Sequence, residues 1–130
     1  MKALIYHSAA DIRLEDVEQP RPDAGELIVR VAGCGLCGSD LVKIAQDAPP
    51  PVILGHELAG RVVAAGEGAP LAVGTRVTVA HHVPCGQCHF CRHGNESMCA
   101  TFKASNITPS GFAEYIRVSA RHATKTTFAL

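Results

Sequence analysis

Four cysteines lie close enough together in this chain to hold one metal ion. They follow the spacing C-x2-C-x2-C-x7-C, at Cys85, Cys88, Cys91 and Cys99. Four thiolates at such short separations can surround one zinc ion in a closed tetrahedron, with Zn–S distances of about 2.3 Å. A closed site has no position for a substrate, so the cluster predicts a structural zinc. Any catalysis is therefore expected elsewhere in the chain.

Three other uses of clustered cysteines fit this spacing less well. Common iron–sulfur runs have a different fourth spacing and usually a proline after the last cysteine, where this chain has Ala100. A redox-active Cys-x-x-Cys pair does not need four cysteines, and a disulfide between Cys85 and Cys88 would be strained. The segment also has only two large apolar residues, Phe90 and Met98, so a metal is expected to hold it together.

Composition indicates a single small globular domain. The chain has 130 residues, 47% of them hydrophobic, and its 12 Lys and Arg balance its 12 Asp and Glu. Without a basic stripe, no nucleic-acid partner is expected, and no apolar run approaches the roughly 20 residues of a membrane span. The start of the chain shows no export signal, and the clustered cysteines are spaced for a metal, so we expect a reducing, cytoplasmic setting.

The pattern along the rest of the chain is typical of a mainly β domain. Short alternating or β-branched runs are separated by turns rich in glycine and proline. These runs predict extended segments at 1–6, 12–20, 26–32, 52–54, 57–65, 75–80 and 112–118. One short helix is expected over 40–45, with Ser39 or Gly38 as its N-cap. We therefore predict a barrel-like β-fold with short helices and an inserted zinc-binding lobe at about 84–100.

A second group of residues that could do chemistry is less conspicuous. Cys37 lies in Cys-Gly-Ser-Asp, where a strand gives way to a helix, and His56 and Glu57 lie in Gly-His-Glu just before a strand. Each alone has a plain structural interpretation: a small buried thiol, a histidine that donates to a carbonyl, or a charge at a strand edge. Taken one at a time, these residues leave open whether they form a site.

The order of the motifs resembles that of the medium-chain, zinc-dependent alcohol dehydrogenase family. Cys-Gly-Ser-Asp, Gly-His-Glu-Leu-Ala-Gly, the four cysteines and Gly-Phe-Ala-Glu-Tyr follow one another along the chain. From Met1 to about Thr124 the chain is similar to the N-terminal catalytic domain of that family. The resemblance implies the GroES-like β-fold for nearly the whole chain.

The resemblance also implies a role for each matching residue. Cys37 and His56 would bind a catalytic zinc, and Glu57 would lie beside it, able to enter or leave the coordination shell. Ser39 matches the hydroxyl that hydrogen-bonds the bound alcohol, and Asp40 matches the carboxylate that orients the ligand histidine. The structural zinc ligands of the family are matched by Cys85, Cys88, Cys91 and Cys99.

The reaction implied by the resemblance is hydride transfer from a small alcohol or polyol to NAD or NADP, or the reverse from a carbonyl. Zinc acts in it as a Lewis acid that lowers the pKa of the alcohol. The family's cofactor-binding domain and a further ligand of the catalytic zinc come from sequence beyond residue 130. No glycine-rich cofactor fingerprint lies within the chain, so the isolated 130 residues are expected to be inactive. The full enzyme is expected to be a homo-oligomer.

One position departs from the family pattern, and one cysteine has no matching role. Some family members carry a proton-relay histidine where this chain has Val42, and Cys34 corresponds to no ligand. One alternative function is also kept. The chain could be a stand-alone zinc-stabilised β-module that binds a partner or simply folds, without catalysis. Such a module would hold one zinc, and changing His56 would then have no measurable effect.

Overall fold

Antiparallel strands dominate the fold, as the alternating sequence predicts. The computed structural model describes residues 1–46, 49–120, 123 and 127–129. The elements in chain order are β1 (Lys2–Ser8), β2 (Asp11–Asp16), β3 (Leu27–Gly35), α1 (Gly38–Ala45), β4 (Val52–Ile53), β5 (Glu57–Ala65), β6 (Arg76–Val79), α2 (His89–Arg92), a 3-10 helix (Glu96–Met98), α3 (Ala100–Lys103), β7 (Ile107–Thr108), β8 (Tyr115–Val118) and β9 (Thr127–Ala129).

The strands form two sheets that are joined into a barrel-like body. One sheet has the order β2-β1-β4 and the other β7-β8-β3-β5-β6-β9. The segment 112–114 links them: Leu4 N donates to Phe112 O at 2.8 Å, and Val31 N donates to Glu114 O at 2.9 Å. Because one short segment bonds to β1 on one side and to β3 on the other, the predicted closed β-fold is confirmed.

The hydrophobic core is built mainly from side chains of the larger sheet, and it follows the alternation of buried and exposed residues along the strands. In β5, for example, Leu58, Gly60 and Val62 are buried while Arg61 and Val63 are exposed. The core side chains come from the central strands and from the segments that cover them: Leu27, Val29, Leu58, Val62, Val77, Val79, Ile107, Ile116, Val118 and Ala123. Period-two burial of this kind is what one buried sheet face requires.

The sheet register brings two loops to one place. In the β3–β5 pair, Gly35 at the end of β3 lies opposite Glu57 at the start of β5. The chain leaves β3 towards Cys37, and it enters β5 from His56. Residues distant in sequence therefore meet at one end of the sheet. This is the place that the fold provides for a site.

Helix α1 begins two residues earlier than predicted, and its cap differs. Cys37, rather than Ser39 or Gly38, is the N-cap, and the Asp40 side chain accepts a hydrogen bond from the Cys37 N–H at 3.1 Å. Sequence preference favours a hydroxyl at the cap. Here the carboxylate at the third helical position satisfies the cap N–H instead.

Several short elements were not predicted. The lobe contains α2, the 3-10 helix and α3, each four residues or fewer, and the two- and three-residue strands β7 and β9 add to the edges of the larger sheet. Segments this short carry too little periodicity to stand out from loops. Within the described part of the chain, no helix is both long and apolar enough to cross a bilayer.

The same substitution should change stability by different amounts at two neighbouring positions of β5, because one side chain is buried and the other is exposed. Val62 is 0% exposed and Val63 is 36% exposed. Val62→Ala should lower the free energy of unfolding by about 2 kcal/mol, because it removes buried methyl groups and leaves a cavity. Val63→Ala, the matched control, should cost about 0.5 kcal/mol or less. Urea denaturation of the zinc-loaded protein measures both, and equal losses would contradict the assigned faces.

Candidate metal centres and active site

The four clustered cysteines are brought together with the spacing that a tetrahedral metal site needs. Their ligand atoms all lie within 4.8 Å of one another. The Sγ of Cys91 lies 3.5 Å from that of Cys88 and 3.9 Å from that of Cys85. A zinc ion bonded to four sulfurs at about 2.3 Å requires sulfur separations of about 3.8 Å. A disulfide would bring two sulfurs to about 2.05 Å, and all six cysteines are free thiols.

Backbone N–H groups are directed at the sulfurs of this cluster. Cys88 N donates to the Cys85 Sγ at 3.3 Å, and Cys85 N donates to the Cys99 Sγ at 3.4 Å. The Cys85 N–H is the main reason that the pKa of Cys99 falls to about 6. Loss of solvation, followed by the neighbouring thiols, raises the pKa of Cys91 to about 12. The backbone N–H group that lowers the pKa of Cys99 favours its thiolate, the form that binds a metal.

The lobe around the cysteines has no apolar core to hold it. Its two large apolar side chains are exposed, Phe90 by 42% and Met98 by 49%. Its helices are single turns, held by bonds such as Asn95 N to Phe90 O at 2.8 Å. The sulfur spacing and the lack of packing agree with the donor set, so the cluster fits a structural zinc site.

Cys37, His56 and Glu57 form a second group at the end of β3 and the start of β5. Their ligand atoms lie within 4.8 Å of one another. Cys37 follows the end of β3, His56 lies in the turn before β5, and Glu57 is the first residue of β5. A thiolate, an imidazole and a carboxylate are the ligand types that zinc takes in catalytic sites. The structure thus brings together the three residues that the family resemblance selected.

Asp40 joins the parts of this second group. Its side chain is 0% exposed, and its Oδ1 lies 3.4 Å from the His56 Nδ1. The same carboxylate accepts hydrogen bonds from Cys37 N at 3.1 Å and Gly55 N at 3.2 Å. A carboxylate facing Nδ1 keeps the proton on that nitrogen, which leaves the Nε2 lone pair for a metal. Asp40 therefore has the contacts expected of a carboxylate that orients a ligand histidine.

Two glycines give this group its room. Gly55 has a φ of +88°, and a Cβ there would lie 2.7 Å from the Phe112 ring. A Cβ on Gly35 would lie 2.7 Å from Oε2 of Glu57. A larger residue at either position would therefore displace a side chain next to the candidate site.

Ser39 lies on the metal-facing side of His56. Its Oγ is 3.4 Å from the His56 Nε2, the nitrogen that Asp40 leaves unprotonated. Ser39 is exposed. Val42 stands where some family members have a histidine. Its side chain is 52% exposed and has no group that could relay a proton.

The sequence did not single out His81, which lies against this group. Its ring centroid is 4.4 Å from that of His56 and 3.7 Å from that of His82. Loss of solvation, and then the nearby His82 and His56, lower the pKa of His81 to about 4, so its ring is neutral at neutral pH. No sequence pattern singles it out, because its proximity to His56 is a tertiary contact.

Cys34 is separate from both metal groups. It packs against the hydrophobic core, and burial is the main reason that its pKa is raised. A Cβ on Gly111 would lie 2.7 Å from its sulfur. These contacts make Cys34 a packing residue, in agreement with the absence of a ligand match.

Replacing one cysteine of the lobe tests the first cluster. Cys91→Ser should remove one zinc per chain and lower stability, because the remaining three sulfurs no longer close the tetrahedron. Elemental analysis after dialysis measures the zinc, and Cys34→Ala, a thiol outside the cluster, is the matched control. Zinc content in Cys91→Ser equal to that of the unmodified protein would show that the cluster does not hold the metal.

Comparison with known proteins identifies the same family that the sequence motifs resemble. Residues 23–127 match the family described as the alcohol dehydrogenase GroES-like domain. An L-threonine 3-dehydrogenase of Pyrococcus abyssi is 38% identical over 120 residues, which are 86% of this chain and 34% of that enzyme. The chain thus spans about a third of the length of that relative.

Solved structures are similar over almost the entire chain. A zinc-binding dehydrogenase of Sinorhizobium meliloti bound to NADP has a TM-score of 0.80 at 36% identity, and the match covers 99% of this chain and 38% of that one. A cobalt- and zinc-bound alcohol dehydrogenase of Pyrobaculum aerophilum has a TM-score of 0.80 at 32% identity, covering 99% and 41%. This chain belongs to the alcohol dehydrogenase GroES-like domain family.

Proposed function

We propose that this chain is the catalytic domain of a zinc-dependent, NAD(P)-linked dehydrogenase that oxidises a small alcohol or polyol to a carbonyl. In this proposal Cys37, His56 and Glu57 hold the catalytic zinc. Ser39 and Asp40 act on the substrate and on the ligand histidine, respectively. The structural zinc is held by Cys85, Cys88, Cys91 and Cys99.

The observation that carries the proposal is the buried contact between Asp40 and His56. A fully buried carboxylate is costly unless its charge is compensated. Here Oδ1 lies 3.4 Å from the His56 Nδ1, and two backbone N–H groups complete the carboxylate's partners. The other ring nitrogen, Nε2, lies 3.4 Å from the Ser39 Oγ, and one ring nitrogen of His56 lies within 4.8 Å of ligand atoms of Cys37 and Glu57. A stand-alone structural module has no need of it.

Each residue of the site has a defined task. Bound zinc would supply Lewis acidity that lowers the pKa of an alcohol. Cys37 and His56 would fix the metal, and Glu57 would be a third, exchangeable oxygen ligand. The Ser39 hydroxyl, 3.4 Å from the His56 Nε2, would accept a hydrogen bond from the alcohol and pass a proton on to solvent, to which Ser39 is exposed. Asp40 would hold the imidazole in one tautomer throughout.

The rest of the enzyme would supply the cofactor. We infer that residues 1–130 form one domain, with the zinc lobe at about 84–100, and that NAD or NADP binds to a domain outside these residues. A nicotinamide must lie beside the reacting carbon to accept hydride. The 130 residues alone would therefore not turn over, and the full protein would work in the cytoplasm as a homo-oligomer.

The two cysteines at the end of β3 provide a sharp test of the catalytic site. In the full-length protein, Cys37→Ala should reduce alcohol-dependent formation of NADH or NADPH by at least about a thousandfold, because the metal loses a ligand. Cys34→Ala, three residues away, should retain activity within about threefold, since its sulfur packs in the core. Nicotinamide absorbance gives the rates, and elemental analysis gives the zinc content.

Two other results would contradict the proposal, and one of them would favour the stand-alone module. Normal alcohol oxidation by Cys37→Ala would rule out the proposed site. A full-length protein that binds only one zinc, lost in Cys91→Ser and kept in Cys37→Ala, would support a β-module stabilised by its lobe. Two zinc ions per chain, one sensitive to each substitution, are expected from the proposal.

Asp40 provides a second, independent test. Asp40→Asn keeps the size of the side chain but removes the charge that faces the His56 Nδ1. The affinity of the catalytic site for zinc should fall by about 10- to 100-fold, while the cysteine lobe keeps its metal. Competition with a chelator measures both affinities in one titration. Asp16→Asn, at an exposed carboxylate paired with Lys2, is the control and should change neither affinity.

A further inference from the structure

Two histidines lie side by side on the surface of the cysteine lobe, outside both metal groups described above. His89 is the first residue of α2, and His93 is the residue that caps the C-terminal end of that helix. Residues four apart along a helical turn project from the same side. The two ring centroids are 4.3 Å apart, and the ring planes are tilted by 35°. The single turn of α2 therefore places two imidazoles next to each other.

One nitrogen of the His93 ring is already in use. Its Nδ1 lies 2.8 Å from the carbonyl oxygen of His89. Because a carbonyl oxygen only accepts, Nδ1 carries the proton and donates it, and Nε2 of the neutral ring keeps its lone pair. Histidines that bind metals commonly donate their second ring N–H to a backbone carbonyl, which fixes the tautomer and the orientation of the ring. His93 thus has the supporting hydrogen bond of a metal ligand.

The His89 ring is oriented by packing and keeps its nitrogens available. Its centroid lies 5.7 Å from that of the Phe90 ring, in an edge-to-face arrangement. Among the residues that the structure describes, neither ring nitrogen of His89 makes a hydrogen bond. Both histidines are exposed, so a hydrated ion can reach them from solvent. Each ring of the pair therefore offers one lone pair to a ligand.

The separation of the two rings fits one metal ion bound to both. A metal bonded at about 2.1 Å to a nitrogen of each ring would lie about 3.2 Å from each ring centroid. With centroids 4.3 Å apart, the two bonds would meet at the metal at about 85°. Adjacent positions in square-planar or tetragonal coordination are close to this angle, and Ni²⁺ and Cu²⁺ take that coordination with nitrogen and oxygen ligands. The wider angle of a tetrahedral zinc site fits the pair less well.

We propose that His89 and His93 form a two-imidazole site for a divalent transition-metal ion of square-planar or tetragonal coordination, such as Ni²⁺ or Cu²⁺. The described residues bring no third His, Cys, Asp or Glu ligand to this pair, so water molecules complete the coordination shell. The site is separate from both zinc groups. It does not depend on the proposed function, since a domain without catalysis would bind the ion equally well.

Nickel binding to the zinc-saturated full-length protein, measured by calorimetry at fixed pH, tests this site. One Ni²⁺ per chain should bind without release of zinc. His93→Asn keeps an N–H donor for the His89 carbonyl but removes Nε2, and it should weaken nickel binding at least about tenfold, because the second ligand of a chelate is lost. His89→Ala should weaken it as much, and the double variant no further, since either change removes the chelate.

Arg92→Gln is the matched control on the same helical turn. Loss of a positive charge does not disfavour a cation, so nickel should bind this variant at least as tightly as the unmodified protein. An equal loss of affinity in Arg92→Gln would show that the lobe is disturbed, and it would overturn the site. Unchanged affinity in His93→Asn and His89→Ala would also overturn it, as would losses that simply add in the double variant, which indicate two independent imidazoles.

X-ray absorption at the nickel edge of the unmodified protein provides a measurement that needs no variant. Two imidazole ligands on the bound nickel support the site, and one or none overturns it. Elemental analysis of zinc accompanies each variant, because both histidines lie close in sequence to the cysteines of the lobe. If a variant loses the zinc of its lobe, the number of imidazoles on nickel in the unmodified protein decides.

Discussion

The buried carboxylate of Asp40 is the constraint on which the candidate active site depends. A charge removed from water must find its partners inside the protein, and this one takes the Cys37 N–H, the Gly55 N–H and the His56 ring. Through it the start of α1, the turn before β5 and the imidazole hold one another in place. The same group also chooses which nitrogen of His56 remains free. Geometry and protonation of the site therefore have a single origin.

The two metal groups are built in opposite ways. The cysteine lobe takes its four candidate ligands from one short stretch of chain, and its two large apolar side chains, Phe90 and Met98, are exposed. A bound metal has to supply its order. The group around His56 instead takes ligands from separate strand ends that the sheet register brings together. Its residues are brought together by the β3–β5 register, in which Gly35 lies opposite Glu57.

The sequence predicted the local parts of this molecule better than the long-range ones. The cysteine spacing contains all four ligands within one segment, and β5 was predicted with its observed bounds because its alternation is clean. Cys37 and His56 were found through the family resemblance, since no local pattern connects them. Asp40 as the partner of the cap N–H, the short strands β7 and β9, and His81 all depend on tertiary contacts. Spacing alone does not encode such contacts.

The β5–β6 register has a consequence for how this domain can change in evolution. The loop between β5 and β6, residues 66–75, lies outside the paired region. Insertions or deletions there leave Leu58 opposite Val79. A single-residue insertion between Arg76 and Val79 would instead turn the buried Val79 side chain to the other face of the sheet. The loop can therefore vary in length while the ends of the two strands stay where they are. Chain length between Arg76 and Val79 is not free to vary.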